Sequence, residues 1–332
     1  MNQKNILKQN QIGMSLVELM IAMVISLFLS LGIFTMFSMS SSNVTTTSQF
    51  NQLQENGRIA LAILERDISQ LGFMGDLTGT DFILDVNTTI EGLAAITDCE
   101  GGGLNNATLP NNQPSHFRRL WGYEHTSSAT ETLTCLGSAN VKIDTDVIQI
   151  KRFVGPDINI PLAAAEQGDI YVSANASEAV FYKGAAPAKT LTNAREWQYQ
   201  HHVYYVADDA DSIPLLRRVT LTENGMTNQE QLVEGIENIR FLYGFDDDGD
   251  STPDSYLAES AVLSNMWDNE SFQRLVAVKI FILVRSIQAD RSYTNETTYQ
   301  LGDKEIAAPN DNFRRKVMST TVVLENPVLI RN

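Results

Sequence analysis

The chain has little of what most catalytic and metal chemistry draws on. Its 332 residues include four histidines and two cysteines. The cysteines, Cys99 and Cys135, are too far apart for a C-x-x-C redox motif, and their number gives a zinc site little support. The histidines are His116, His125, His201 and His202. The tandem pair sits in a strand-like segment, where neighbouring side chains point to opposite faces, so it makes a poor two-ligand site. Structural or surface roles are the expectation for all four. No G-x-S-x-G, H-E-x-x-H or Gly-rich nucleotide loop occurs, and Gly101-Gly102-Gly103 is not followed by Lys-Ser/Thr as a phosphate loop would be. The expectation is that the chain is not an enzyme. Positive charge is scarce as well: 24 Lys and Arg stand against 40 Asp and Glu, a formal net charge of -16. Affinity for phosphates rests on Lys and Arg clusters, so this balance disfavours nucleic acid as the main ligand. The basic groups Arg118-Arg119, Arg217-Arg218 and Arg314-Arg315-Lys316 are scattered and read as solvated surface or local ion pairs.

What is present in quantity is one apolar run. Within residues 14–39 the only ionisable side chain is Glu18, and the other polar residues are serines and one threonine that a helix can satisfy from its own carbonyls. At ~1.5 Å per residue the run extends to about 39 Å, enough for a hydrocarbon core of about 30 Å. Lys4 and Lys8 precede it with no acidic residue before Gly13, which keeps the N-terminus cytoplasmic by the positive-inside rule. A cleaved secretory signal has a shorter apolar core and a small-residue cleavage site, and Ser40-Ser41-Ser42-Asn43 offers none. A carboxylate five residues into an apolar helix needs a partner. A cut after Gly13 would supply one, because Met14 would then carry a free α-amine. Within one chain the amine and Glu18 stand at i,i+4 on one face. Between neighbouring chains the same pair would set the register of an assembly; both pairings remain open.

Gly13-Met14-Ser15-Leu16-Val17-Glu18 and the unbroken apolar helix resemble a type IV prepilin leader. The resemblance implies a prepilin peptidase that cuts after Gly13 and methylates Met14, and an assembly role for Glu18. Met14 stands where that family usually has Phe.

After the run, residues 40–48 are rich in Ser, Thr and Asn and predict a weakened or locally melted stretch of helix. The helical period resumes with Phe50, Leu53, Gly57, Ala60, Leu61, Leu64, Ile68 and Leu71, one face of an amphipathic helix, and Gly72 is a plausible stop. Gln52, Glu55, Arg58, Arg66 and Gln70 lie on the other face. Residues 80–140 read as loop, dense in turn residues. Both cysteines lie beyond the apolar run, on the periplasmic and oxidising side, which favours a disulfide between Cys99 and Cys135. Strands are expected at 141–153, 170–172, 179–182, 203–206, 215–221, 236–245, 275–284 and 317–324. No helical periods alternate with them. The fold class is therefore α+β and pilin-like: a long N-terminal helix packed on an antiparallel sheet. The domains follow as 1–13 leader, 14–39 membrane half of the helix, 40–72 polar break and amphipathic half, and 73–332 β-rich periplasmic domain.

A narrower resemblance lies further on. Arg58-Ile59-Ala60-Leu61 with Leu64-Glu65-Arg66-Asp67-Ile68 and Gly72 resembles the helix end of PilW-type minor pilins and of J-type minor pseudopilins of type II secretion. Leu232-Val233-Glu234-Gly235-Ile236-Glu237-Asn238, Tyr243-Gly244 and the acidic loop at 246–254 with Tyr256 look like the PilW family. So do residues 278–286, ending Leu-Val-Arg-Ser, and Arg314-Arg315-Lys316-Val317 with Ser319-Thr320-Thr321-Val322. The resemblance implies a minor pilin in the inner membrane and then the pilus, in a tip or priming complex with other minor pilins, the major pilin and a tip protein. A J-type pseudopilin is the nearest alternative, and a tip adhesin or DNA-uptake receptor the alternative of another class. No cofactor is required. The one stretch with ligand chemistry is the acidic loop, where Asp246, Asp248, Asp250 and Asp254 have the spacing of positions one, three, five and nine of a calcium loop. Ser251 stands where its turn prefers Gly, and Leu257 where a bidentate Glu would close the shell. A solvated turn fits the same residues.

Overall fold

The computed structural model describes residues 13–77, 81–93, 96–137, 141–158, 168–184, 186–209 and 211–326. One long helix, α1, runs Leu16–Ser69. The chain divides into two compact units, Met1–Phe50 and Asn51–Asn332, so the division falls within α1.

In the first unit α1 carries apolar residues on every face, and they stay exposed: Leu27, Phe28, Phe34 and Phe37 are each more than two-thirds accessible. By length and composition this helix can cross a membrane. The break expected at residues 40–48 is absent, since α1 continues through them. The reason is cooperativity. Each Ser, Thr or Asn costs only a few tenths of a kcal/mol relative to a good helix former, whereas a gap would require a second costly nucleation.

In the second unit the expected stripe does pack. Leu53, Gly57, Ala60, Leu61, Leu64, Ile68 and Leu71 are buried, while Phe50, just before the unit boundary, is 38% exposed. A Cβ on Gly57 would collide with Met318 and crowd Val284, so glycine lets the helix backbone approach the sheet. After Ser69, Gly72 takes φ 84, as the stop signal requires.

Among the described residues fourteen strands follow, in two principal sheets and one hairpin. The larger sheet has eight strands: β1 Thr88–Glu91, β2 Leu120–His125, β3 Thr145–Ile158, β4 Ile170–Ala174, β5 Ala179–Lys183, β6 Arg195–Asp208, β7 Pro214–Thr222 and β8 Gly225–Glu234. Its pairings are antiparallel except for β1 with β5. β6 is the axis: β3 lies along one edge, and β4 and then β7 share the other. The smaller sheet runs β10-β9-β11-β14, with β9 Ile236–Asp246, β10 Ser255–Leu257, β11 Arg274–Arg285 and β14 Arg315–Val323. β12 Tyr299–Leu301 and β13 Lys304–Ile306 form the hairpin.

The period of two along β3 and β6 divides the interior. Ile148, Ile150, Tyr204 and Val206 face a core shared with α1 and with Ile239, Phe241, Ile280 and Ile282 of the smaller sheet. Val147, Phe153, Trp197, Tyr199 and Val203 face a second core closed by Phe82, Phe117, Trp121 and Leu133 from the loop-rich segment. That segment is therefore a covering layer. Burying each large apolar side chain contributes about 1.5–3 kcal/mol, so its few strands suffice because its loops carry anchors.

Several strand limits differ from expectation. β3 begins at Thr145, after Asp144 at φ 59 interrupts the extended run. β6 begins at Arg195, well ahead of 203, because Gln198, Gln200, His201 and His202 are polar side chains placed inside a sheet. β1, β2, β8, β10, β12 and β13 were not anticipated. β8 reads as polar because it is an edge strand with one face in solvent.

Candidate functional site

Residues 13–15 precede the first turn of α1 and are not helical. Ser15 caps the helix: its Oγ accepts the Val17 N–H at 3.3 Å, while Glu18 Oε2 accepts the Ser15 N–H at 3.0 Å. This reciprocal capping box keeps the Glu18 carboxylate at the positive end of the helix dipole. The bond between Gly13 and Met14 lies outside the helix with both residues exposed. A Cβ on Gly13 would meet nothing within 4 Å, so any requirement for glycine there comes from a protein acting on this segment and not from the chain's own packing. Lys4 and Lys8 lie outside the described residues.

Cys99 and Cys135 are joined, with Cα atoms 4.7 Å apart. The bridge sits in the covering layer, where Cys99 is fully buried and its amide donates to Thr108 Oγ1 at 2.9 Å.

The acidic loop leaves β9 at Asp246. This buried aspartate receives three backbone N–H groups: Oδ1 accepts from Asp248 and Gly249, and Oδ2 from Ser251. Burial raises its carboxyl, and the amides of Gly249, Ser251 and Asp248 outweigh that and hold it below the usual carboxylate range. Ser251 adopts φ 69, the left-handed conformation that a tight loop normally assigns to glycine. Oxygens of Asp246, Asp248 and Asp254 lie within 4.8 Å of one another. Asp250 does not join them. Its Oδ1 accepts the Thr252 N–H at 2.7 Å and the Thr252 hydroxyl, so the fourth expected ligand is turned into its own short loop. Glu259, the nearest acidic residue after Leu257, is held by Arg240 at 2.9 Å and is committed elsewhere.

Charged groups that the sequence left unassigned turn out to hold the layers together. Asp67, on the buried stripe of α1, takes Arg152 of β3 at 2.7 Å, His202 Nδ1 at 2.6 Å and the Tyr204 hydroxyl at 2.7 Å. Burial works to raise the Asp67 carboxyl; its bond to His202 and the charges of His202 and Arg152 outweigh this and hold it well below the usual range. A signal was available: one aspartate on an otherwise apolar stripe requires a partner. Arg240 of β9 gathers Asp146, Glu259 and Asp303 at 2.7–3.0 Å. The three basic groups each contribute to ion pairs: Arg118 with Asp268, Arg218 with Glu230, Arg314 with Asp290 and Arg315 with Glu237 and Asp311. Arg118 and Arg119 are buried, however, and the Asp268 and Glu237 pairs join distant parts of the chain, so these are neither solvated surface nor local. His201 and His202 do point to opposite faces, but both are buried.

An exposed apolar helix, an uncapped glycine at its foot and a carboxylate in its first turn define a prepilin-type protein, and the Prokaryotic N-terminal methylation motif matches residues 8–34. The family described as Type IV Pilus-assembly protein W matches residues 203–326, from mid-β6 through β14, and the acidic loop falls inside that span. These two matches support a PilW-family type IV pilin over residues 203–326 and a prepilin-type signal over residues 8–34. No curated protein and no solved structure matches the chain.

Proposed function

We propose that the chain is a minor pilin that a prepilin peptidase cleaves after Gly13 and methylates at Met14. Residues 14–39 then hold it once across the inner membrane with the Asn51–Asn332 unit on the periplasmic side, until it is drawn into a pilus. There it primes assembly in a tip complex with other minor pilins, the major pilin and a tip protein. The observation that carries this reading is the foot of α1: an exposed Gly13–Met14 bond followed within about one turn by Glu18 and then by a helix whose apolar side chains are exposed among the described residues. Such a surface needs lipid or other helices. The match to the pilus-assembly family over the acidic loop favours a pilus over a J-type secretion pseudopilin. Intact-mass measurement of the membrane-extracted protein tests the processing: a chain starting at N-methylated Met14 is expected, and one starting near Ser40 would sink the reading. Pilus number in a strain lacking the chain tests the priming role, and an unchanged number would remove it. The gathered Asp246, Asp248 and Asp254 support a further part of the reading, that the loop takes a calcium ion in the extracellular range.

A further inference from the structure

In the second core, against the covering layer, β3 and β6 present three polar side chains among aromatic and aliphatic ones. Gln149, Lys151 and His201 have no accessible surface, and Lys151 and His201 are directly opposed in the strand pairing. A fully buried lysine normally has a carboxylate beside it; among the described residues none forms an ion pair with Lys151. Its Nζ lies 3.0 Å from Asn106 Oδ1 and 2.7 Å from the Ala107 carbonyl, above the Phe117 ring at 4.6 Å. Asn106, 2% exposed, comes from the covering layer, and its Nδ2 donates to the Gly102 carbonyl at 2.9 Å. The Asn106 Oδ1 also receives a short hydrogen bond from Gln149 Nε2. Both ring nitrogens of His201 are without a hydrogen-bond partner among the described residues.

We propose that Lys151 and Asn106 become joined by an isopeptide bond, which fastens the covering layer to the centre of the eight-stranded sheet. Each part of the reaction has a group on the page. The nucleophile is the Lys151 amine. Burial shifts it well below its usual range, with Arg118 acting in the same direction and the charge of Asp98 opposing them, which favours the neutral form with its lone pair. The electrophile is Cγ of Asn106, the atom next to the oxygen that Lys151 already touches. Gln149 polarises that carbonyl and would hold the oxyanion as charge develops. The base is His201, kept neutral chiefly by burial, so that one of its two unpartnered ring nitrogens is free to accept. His201 takes a proton from Nζ as the Nζ–Cγ bond forms. It returns that proton to Nδ2 as the Cγ–Nδ2 bond breaks, and ammonia leaves. No oxidant or added reactant is needed.

The disulfide closes the covering layer on itself, while this bond would fix it to β3. The full chain, extracted in detergent and reduced, should be lighter than its processed sequence by one ammonia. Trypsin should fail to cut after Lys151 and should yield a branched peptide joining segment 143–152 to segment 67–118. A chain of full sequence mass, with free cleavage after Lys151, overturns the proposal. Lys151→Met should abolish the deficit, and persistence of the deficit in that variant would equally refute the assignment. His201→Gln should leave a fraction of the chain unlinked when isolated early after synthesis; complete linkage at the wild-type rate would remove His201 from its role as the base.

Discussion

The two halves of α1 both carry large apolar residues and meet opposite fates. Before Phe50 the apolar residues occupy all faces, and Phe28 is 68% exposed; after it they recur at three and four residues, and Leu64 is completely buried. The difference lies in angular distribution. A stripe can be covered by one sheet, whereas an all-round apolar surface needs a surrounding medium or several partners. Two polar side chains in the apolar run fit this reading. Ser26 Oγ donates to the Met23 carbonyl at 2.9 Å and Thr35 Oγ1 to the Gly32 carbonyl at 2.8 Å, so neither asks for water.

Changing the foot of the first half should have the largest effect. Gly13→Leu should stop processing altogether, seen as unprocessed precursor by intact mass, because bulk is placed at the scissile bond. Glu18→Ala should be processed normally and yet be missing from sheared pili. If Glu18→Ala assembles as well as wild type, the first half carries no register information.

The second half should respond in stability. Asp67→Ala leaves Arg152 buried without its carboxylate, a change that costs about 3–5 kcal/mol; thermal unfolding in detergent reads it. The same carboxylate sets an acid limit. Its folded pKa is depressed, so the stability it contributes is present above the unfolded aspartate pKa of about 3.9. That contribution should fade as pH falls below about 4 and be absent from the variant. Equal acid sensitivity in both proteins would place the limit elsewhere.

Next comes a direct contrast between the halves. Leu64→Ala removes a fully buried side chain and should cost roughly 2–3 kcal/mol, whereas Leu27→Ala should leave the unfolding of the Asn51–Asn332 unit unchanged. A shift of equal size for Leu27→Ala would mean that the exposed half has a partner within the folded chain.

The sequence made the helix halves legible because periodicity survives without knowledge of partners: each stripe residue from Leu53 to Leu71 is buried where the spacing puts it. Strands rich in Val, Ile and Phe, such as β9 and β11, were equally plain. What stayed hidden was polar and interior. Arg195 to His202 shows no strand pattern until Asp76 takes Arg195, the Tyr182 hydroxyl reaches Glu196 and Asp67 takes His202, and residues 40–48 look like a break until cooperativity is weighed. The prepilin-type signal was readable as a motif, since it lies in the order of residues, and the methylation motif matches residues 8–34. The acidic loop was readable only in part, because spacing specifies Asp246, Asp248 and Asp254 but cannot say that Asp250 turns to Thr252.

That loop is where the folded unit most resembles the exposed half of the helix, in presenting carboxylates bonded to their own backbone but to no internal cation among the described residues. Among the described residues no lysine or arginine forms an ion pair with residues 246–254, although Gln273 donates to Asp247 at 2.6 Å. Three carboxylates that each turn one oxygen to the site provide fewer than the six to eight that calcium takes, and Glu259 is held by Arg240, so water must complete the shell. The affinity should then fall near 10⁻⁴ to 10⁻³ M, the order of magnitude of extracellular modules. With calcium several-fold above Kd the folded unit should gain about 1 kcal/mol, the smallest effect considered, because a ligand that binds only the native state stabilises it by RT ln(1 + [L]/Kd). Asp248→Asn with Asp254→Asn is the informative variant. Each asparagine keeps the oxygen that accepts a loop amide, from Asp250 and Asp247 respectively, so the turn is preserved while two charges are removed. Wild type should melt higher in millimolar calcium and the variant should not, and magnesium at equal ionic strength should leave both unchanged. Equal melting of the two proteins in calcium would leave a solvated turn whose carboxylates serve only their own backbone.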